Sequence, residues 1–343
     1  MFRVTYKVIM SVLIVVMLTA CSGGGSTSSS STSGTTPSST PSSNDALTAI
    51  NASYAWNNTA TGAGYTVATI DSGANCSHEA FGTRALCSSG YDYGDSDNDP
   101  SDAEGHGTAV ASIIAGSKAS LTGIAYDTMI LPVKATSGTS TSATNTAVQS
   151  SIDYARVNSA NVINMSLGYI VDPTPAANDA AWAALKNAVT AGILIVNAAG
   201  NSGSSDPQSP GRYAANTDMN GQLITVGAVQ YNSTTKSYEI WPSSNKAGTT
   251  AKDFYMVAPG VNVRGAWIGS TSSYATVTGT SFAAPYVTGA ALVIKDKYPA
   301  LTVKQIARAL LDSATDLGAP GVDAVYGHGM LNIKAALQLA ATY

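Results

Sequence analysis

Charge is scarce in this chain: 17 Lys and Arg and 21 Asp and Glu together make up 11% of its 343 residues. A net charge of −4 has the wrong sign for a nucleic-acid partner, which needs a basic surface to meet phosphate. Cysteine is scarcer still, with only Cys21, Cys76 and Cys87, so no dense disulfide scaffold carries the fold. Histidine occurs three times, at positions 78, 106 and 328, and any imidazole chemistry must come from these. A long membrane-spanning run is also missing, because the apolar stretch from Val8 to Leu18 is too short to cross a bilayer comfortably. Beyond residue 44 no second low-complexity linker interrupts the chain, as expected of one large unit.

What is present begins with an address. Arg3 and Lys7 precede the apolar stretch and Leu18-Thr19-Ala20-Cys21 follows it, the layout of a secretion signal over residues 1–20. The last four of these residues resemble the bacterial lipobox, which implies a lipidated Cys21 and attachment to a bilayer through it. Residues 22–44 are only Ser, Thr, Gly, Pro and Asn, a composition that buries too little apolar surface to fold, so 21–44 reads as a lipidated tether. As a flexible coil it reaches roughly 25–30 Å. Ser22 stands where an Asp would retain a lipoprotein at the inner membrane, so the outer membrane or cell surface of the bacterial envelope is expected. Loss of Arg3 and Lys7 with the signal lowers the bases from 17 to 15 against 21 acids, a net of −6. In such an oxidising compartment Cys76 and Cys87 are expected to form a disulfide.

Within residues 45–343, short apolar runs recur at Tyr65 to Ile70, Met129 to Val133, Val162 to Met165, Ile193 to Val196 and Leu223 to Val226. Segments of helical length and spacing lie between them, at Gly107 to Gly116, Asn145 to Val157 and Ala176 to Ala191. Near-continuous apolar strands alternating with helices predict an α/β fold with a parallel sheet covered on both faces. Functional groups in such sheets collect at the carboxyl ends of the strands. Asp71, Ser166 and Asn201 each fall just after a strand run, on one sheet edge.

The candidate chemistry follows from a serine. Ser281 sits between a Gly-Thr turn and a run of uncharged residues to Ile294, where a buried helix begins and its first amides are unpaired. Alone it would be only a helix cap. Asp71 would alone be a structural cap, and His106, flanked by glycines in Glu104-Gly105-His106-Gly107-Thr108, a satisfied structural histidine. Together, an acid to orient an imidazole, a histidine to remove a proton and a serine to attack are the parts of acyl transfer.

The segments Val67 to Gly73, His106-Gly107-Thr108 and Gly279 to Pro285 resemble the three signatures of the subtilisin-like serine proteases, in that family's Asp, His, Ser order. The ending Gly327 to Asn332 resembles the family's entry into a last helix. The resemblance implies a three-layer fold with a mostly parallel central sheet and helices on both faces. It implies a serine-type endopeptidase with catalytic Asp71, His106 and Ser281, and Asn201 as the side-chain donor of an oxyanion hole. Ser166, Leu167 and Gly168 resemble the edge that pairs with an extended polypeptide substrate, and Ser137-Gly138 is the candidate opposite edge. The Ala198-Ala199-Gly200 wall suggests a roomy, uncharged primary pocket.

No cofactor is required by this reading and no metal ligand is assigned. The acidic stretch Asp92, Asp95, Asp97, Asp99, Asp102 and Glu104 fits either a solvated surface loop or, through its alternating oxygens, a calcium loop. His78 and His328 are expected to be structural, and the protein to be a monomer. Lipobox, tether and protease in this order resemble autotransporter-type subtilases without the barrel, and no folding propeptide is visible between tether and protease. A protease fold kept as a catalytically silent surface binding protein is the alternative, against which the intact Asp71, His106, Asn201 and Ser281 weigh.

Overall fold

The computed structural model describes residues 43–343 of the chain; the expected signal segment, Cys21 and nearly all of the tether lie outside the described residues. Eight strands form the main sheet: β1 (Thr66–Asp71), β2 (Tyr91–Asp92), β3 (Met129–Lys134), β4 (Val162–Met165), β5 (Leu194–Ala198), β6 (Leu223–Asn232), β7 (Ser237–Ile240) and β8 (Tyr255–Pro259). Their order is β7-β6-β5-β4-β1-β3-β2, with β8 also paired to β6. All pairings are parallel except the β6/β7 hairpin. The helices are α1 (Ser43–Ala49), α2 (Ser53–Asn57), α3 (His106–Ala115), α4 (Asn145–Val157), α5 (Ala180–Thr190), the one-turn α6 (Gly248–Ala251), α7 (Thr280–Lys297), α8 (Val303–Asp312) and α9 (Ile333–Ala340).

Successive side chains of a strand point to opposite faces, so an unbroken apolar run feeds two cores. Val67, Ile130, Val162, Leu194 and Val196 pack on one face with residues of α3, α7, α8 and α9. Ala68, Ile70, Leu131, Val133, Ile163 and Ile195 pack on the other with α4 and α5. This is the expected three-layer α/β architecture. Helix α5 starts at Ala180 and not near Ala176, because the Asp179 carboxylate accepts from the Trp182 amide at 2.9 Å and caps it there. The Cys76–Cys87 disulfide is present, with Cα atoms 6.2 Å apart.

Helix α7 is buried at every position from Phe282 to Ile294, which explains a sequence apolar on all sides and not along one stripe. Its depth makes each polar group on it answerable. Thr288 donates to Asn164 Oδ1 of β4 at 2.7 Å, and Asn164 Nδ2 donates to Ser166 Oγ at 2.9 Å, tying helix to strand and strand to the segment beyond it. Pro285 has no N–H to return to the Ser281 carbonyl, so the first turn lacks one helical bond. At Gly289 the helix touches Ile124, where an added Cβ would stand 2.6 Å from the Ile124 Cβ. Gly289→Ala is expected to lose about 1–3 kcal/mol through overpacking, despite alanine's better helix propensity, which urea unfolding would measure. An unchanged or raised midpoint would show that the contact relaxes freely.

Candidate active site

Because the strands are parallel, their carboxyl ends share one edge. β1 delivers Asp71 there, in register with Lys134 at the end of β3; β4 runs on to Ser166 and β5 to Asn201. Asp71 is 1% exposed and His106, the first residue of α3, 8%. The His106 Nδ1 lies 2.6 Å from Asp71 Oδ1, which also accepts the Ser72 amide at 2.8 Å. With Nδ1–H donated to the carboxylate, Nε2 is left as the basic nitrogen.

Two carboxylates that looked like part of an acidic surface loop belong to this site. Asp102 accepts from Ser72 Oγ, the Glu104 and Gly105 amides, the Thr108 amide and Thr108 Oγ1, all within 2.6–3.0 Å. Ser72 Oγ in turn accepts from the Gly107 amide at 2.9 Å. These bonds join the end of β1 to the start of α3, and so set Asp71 against His106. Glu104 Oε2 accepts from the His106 amide at 2.7 Å, where a carboxylate suits the positive end of the helix dipole. Gly105, with φ 109°, holds the turn between them, and the Trp267 ring covers the place its side chain would occupy.

Burial works to lower the His106 pKa. The charge and hydrogen bond of Asp71, then the charges of Glu104 and Asp102, more than offset it and raise the imidazole well above its ordinary value. Burial also raises Glu104 above the usual carboxylate range.

Ser281 enters from the same layer as α3, as the second residue of α7, and is half-buried. Its neighbour Phe282 packs on His106 with ring centroids 5.0 Å apart. Asn201 is locked beside it: Oδ1 accepts from both the amide and the hydroxyl of Thr280 at 2.9 Å, and Thr280 Oγ1 accepts from the Gly200 amide at 3.1 Å. With Oδ1 committed to Thr280, Nδ2 faces Gly279, 3.3 Å from where a Cβ there would be. Sequence reasoning singled out Asn201 and Ser281 but not Thr280, the residue that orients one beside the other.

Past Met165 and Asn197, partners in the register of β4 and β5, the segments Ser166–Gly168 and Ala198–Gly200 emerge as two walls. Gly168 is already paired: Ser142–Ala143 lies parallel to Gly168–Tyr169, and the Gly168 amide donates to the Thr141 carbonyl at 3.0 Å. The segment facing this edge is thus Thr141–Ala143. Ser137-Gly138, the candidate opposite edge, is held instead by Asp95, which accepts from Ser137 Oγ and, at 3.0 Å, from the Gly138 amide.

Those bonds, with Lys134, depress Asp95 below the usual carboxylate range. Lys134 Nζ is buried between Asp92 Oδ2 at 2.5 Å and Asp95 Oδ2 at 2.9 Å. Asp97 and Asp99 each accept a backbone amide within the loop. An acidic stretch engaged with an internal ammonium and its own amides does not fit a calcium cage, and among the described residues no group of three or more His, Cys, Asp or Glu could hold a metal ion. The other histidines lie elsewhere: buried His78 accepts the Ala80 amide at Nδ1 and meets the Ser273 carbonyl through Nε2, while His328 Nε2 is 3.1 Å from the Asp253 carbonyl.

A doubly covered parallel sheet that holds an Asp-paired imidazole against Phe282, the residue after a serine at a helix N-terminus, has the arrangement of a serine hydrolase. A model of the subtilase family matches residues 62–329. The chain is 35% identical to "Subtilisin DY" of Bacillus licheniformis, over 81% of its own length and 92% of that protein's. It is 34% identical to "Subtilisin Savinase" of Lederbergia lenta, over 84% and 97%. A crystal structure of a cold adapted subtilisin-like serine proteinase superposes with a TM-score of 0.64 at 31% identity, covering 79% of this chain and 89% of that one. The chain belongs to the subtilase family and is a serine-type endopeptidase with polypeptide substrates.

An NMR titration of the His106 ring should find a midpoint above the ordinary value of about 6.5, and Glu104→Gln should lower it by about half a pH unit, or ~0.7 kcal/mol of charge interaction. An unmoved midpoint would leave Glu104 as a helix cap only.

Proposed function

We propose that the enzyme cleaves peptide bonds through a covalent acyl-enzyme formed on Ser281. His106 Nε2 takes the hydroxyl proton as Ser281 Oγ attacks the scissile carbonyl, and returns it to the leaving amine as the C–N bond breaks. Water then attacks the ester by the same route, releasing the acid and restoring Ser281. Asp71 keeps Nδ1 protonated and stabilises the imidazolium. The oxyanion is met by Asn201 Nδ2 and the Ser281 amide, donors preset at the start of α7. The observation that carries this reading is the buried Asp71–His106 bond, with the Phe282 ring packed at a tilt against the imidazole and Thr280 fixing Asn201.

The backbone of Ser166, Leu167 and Gly168 supplies an edge for an extended substrate, read through main-chain bonds and therefore tolerant of sequence. Since Gly168 is paired with Thr141, a substrate occupying the whole edge must displace the Ser142–Ala143 strand. The residues ahead of the domain extend this reading to location: the lipobox motif supports lipidation of Cys21 and a tethered enzyme on the outer membrane or cell surface, acting as a monomer.

A fluorophosphonate probe should label the wild-type protein and not Ser281→Ala. Asn201→Ala should still label, with turnover reduced about 10²–10³-fold, the loss subtilisin itself shows on removal of its side-chain oxyanion donor. A folded wild-type protein that takes no label would favour the silent binding protein. In cells, Cys21→Ala should move the protein from the membrane to the soluble fraction; unaltered membrane attachment would refute the lipid anchor.

A further inference from the structure

Apart from Leu167, which is buried in the α4/α5 core, the walls Ser166–Gly168 and Ala198–Gly200 carry only small side chains, from which a roomy pocket beside Ser281 would be expected. Two side chains from elsewhere cross that gap. Tyr169, directly after the first wall, sends its hydroxyl to Asn197 Oδ1 at the foot of the second, donating at 2.8 Å. Gln208 crosses in the other direction. Its backbone amide donates to the Ala199 carbonyl at 2.8 Å, and its side-chain Nε2 reaches the Leu167 carbonyl on the opposite wall at 3.4 Å. Its Oε1 and Cδ lie 3.0 and 3.2 Å from where a Cβ on Gly200 would stand, so the amide rests against the Gly200 backbone.

The Gln208 backbone is held from both sides. Its carbonyl accepts the Arg212 amide at 3.0 Å, and the adjacent Ser209 hydroxyl donates to the Pro173 carbonyl. A bulky group entering between the walls would have to swing the amide off both of them and leave the Leu167 carbonyl to find another donor.

Granting that Ser281 and His106 carry the chemistry as proposed above, we propose that Gln208 sets the size limit of the primary pocket. The residue preceding the scissile bond is then small, of alanine or serine size, and aromatic side chains are excluded by the amide that spans the walls. Tyr169 closes the base of the same gap, and its hydroxyl keeps that floor polar.

The test compares two tetrapeptide anilides that differ only in the residue before the cleaved bond, alanine or phenylalanine. For the wild-type enzyme kcat/KM should favour alanine by at least about ten-fold, since discrimination reads differential fit in the transition state. In Gln208→Ala the phenylalanine-to-alanine ratio should rise at least about ten-fold, while Gln208→Leu, which keeps the bulk but not the amide, should hold it low. A wild-type enzyme that cleaves both anilides equally overturns the proposal without any variant. A ratio unmoved in a Gln208→Ala enzyme that still takes fluorophosphonate overturns the role of Gln208 and leaves the catalytic reading intact. Failure of the wild type to take the probe overturns the catalytic reading, and the pocket limit with it.

Discussion

One buried carboxylate sets the terms for the site. Asp71 lies at the end of a central strand with 1% of its surface exposed, where a lone charge is costly to keep. What makes it tolerable is the imidazole 2.6 Å away, and the partnership needs two chain segments 35 residues apart to arrive in fixed geometry. Asp102 supplies that fixity: five donors from Ser72, Glu104, Gly105 and Thr108 converge on its carboxylate and join strand to helix. The glycines around His106 follow from the same demand, since the α3 terminus is pressed against the turn after β1 and beneath Trp267.

Helix α7 serves core and chemistry together. Its apolar length is buried in the layer it shares with α3, α8 and α9, so its N-terminus has little freedom, and Ser281 inherits that rigidity. The polar contacts along it are sparse and directed: Thr288 reaches Asn164 under β4, and Thr280 holds Asn201 beyond β5. The proposed nucleophile and oxyanion donor, carried on separate elements, are thereby held side by side before any substrate arrives, as electrostatic preorganisation requires. At the end of the neighbouring strand β3, Lys134 plays a comparable part for the loop before α4, holding Asp92 and Asp95 so that Asp95 can grip Ser137 and Gly138.

Much of the architecture was legible from pattern. The five apolar runs are β1, β3, β4, β5 and the first half of β6, and Asn145–Val157 is a helix to the residue. Strand β8 and helix α8 were passed over, although Tyr255-Met256-Val257-Ala258 is an apolar run and Thr302 with Gln305 forms a capping box three residues apart. In the site, Asp71, His106, Asn201 and Ser281 stood out because each sits in a short motif whose glycines and small residues permit close approach. Asp102 and Glu104 did not, being hidden in a run of acids whose local sequence gives no hint which of them turn inward.

The linear order of residues was enough for five strands of the sheet, its two covering layers, the family and the groups able to do acyl transfer, since strand alternation, helix length and motif spacing are local properties. Partnership across space needed the fold. Nothing near Lys134 in the chain says that it neutralises Asp92 and Asp95, and nothing near Gln208 says that its amide lies against Gly200 and reaches Leu167. Apart from Gly200, which is close to Gln208 in the chain, those partners are 39 to 42 positions apart, and only the packing of parallel strands, which sends distant loops to one edge, selects them.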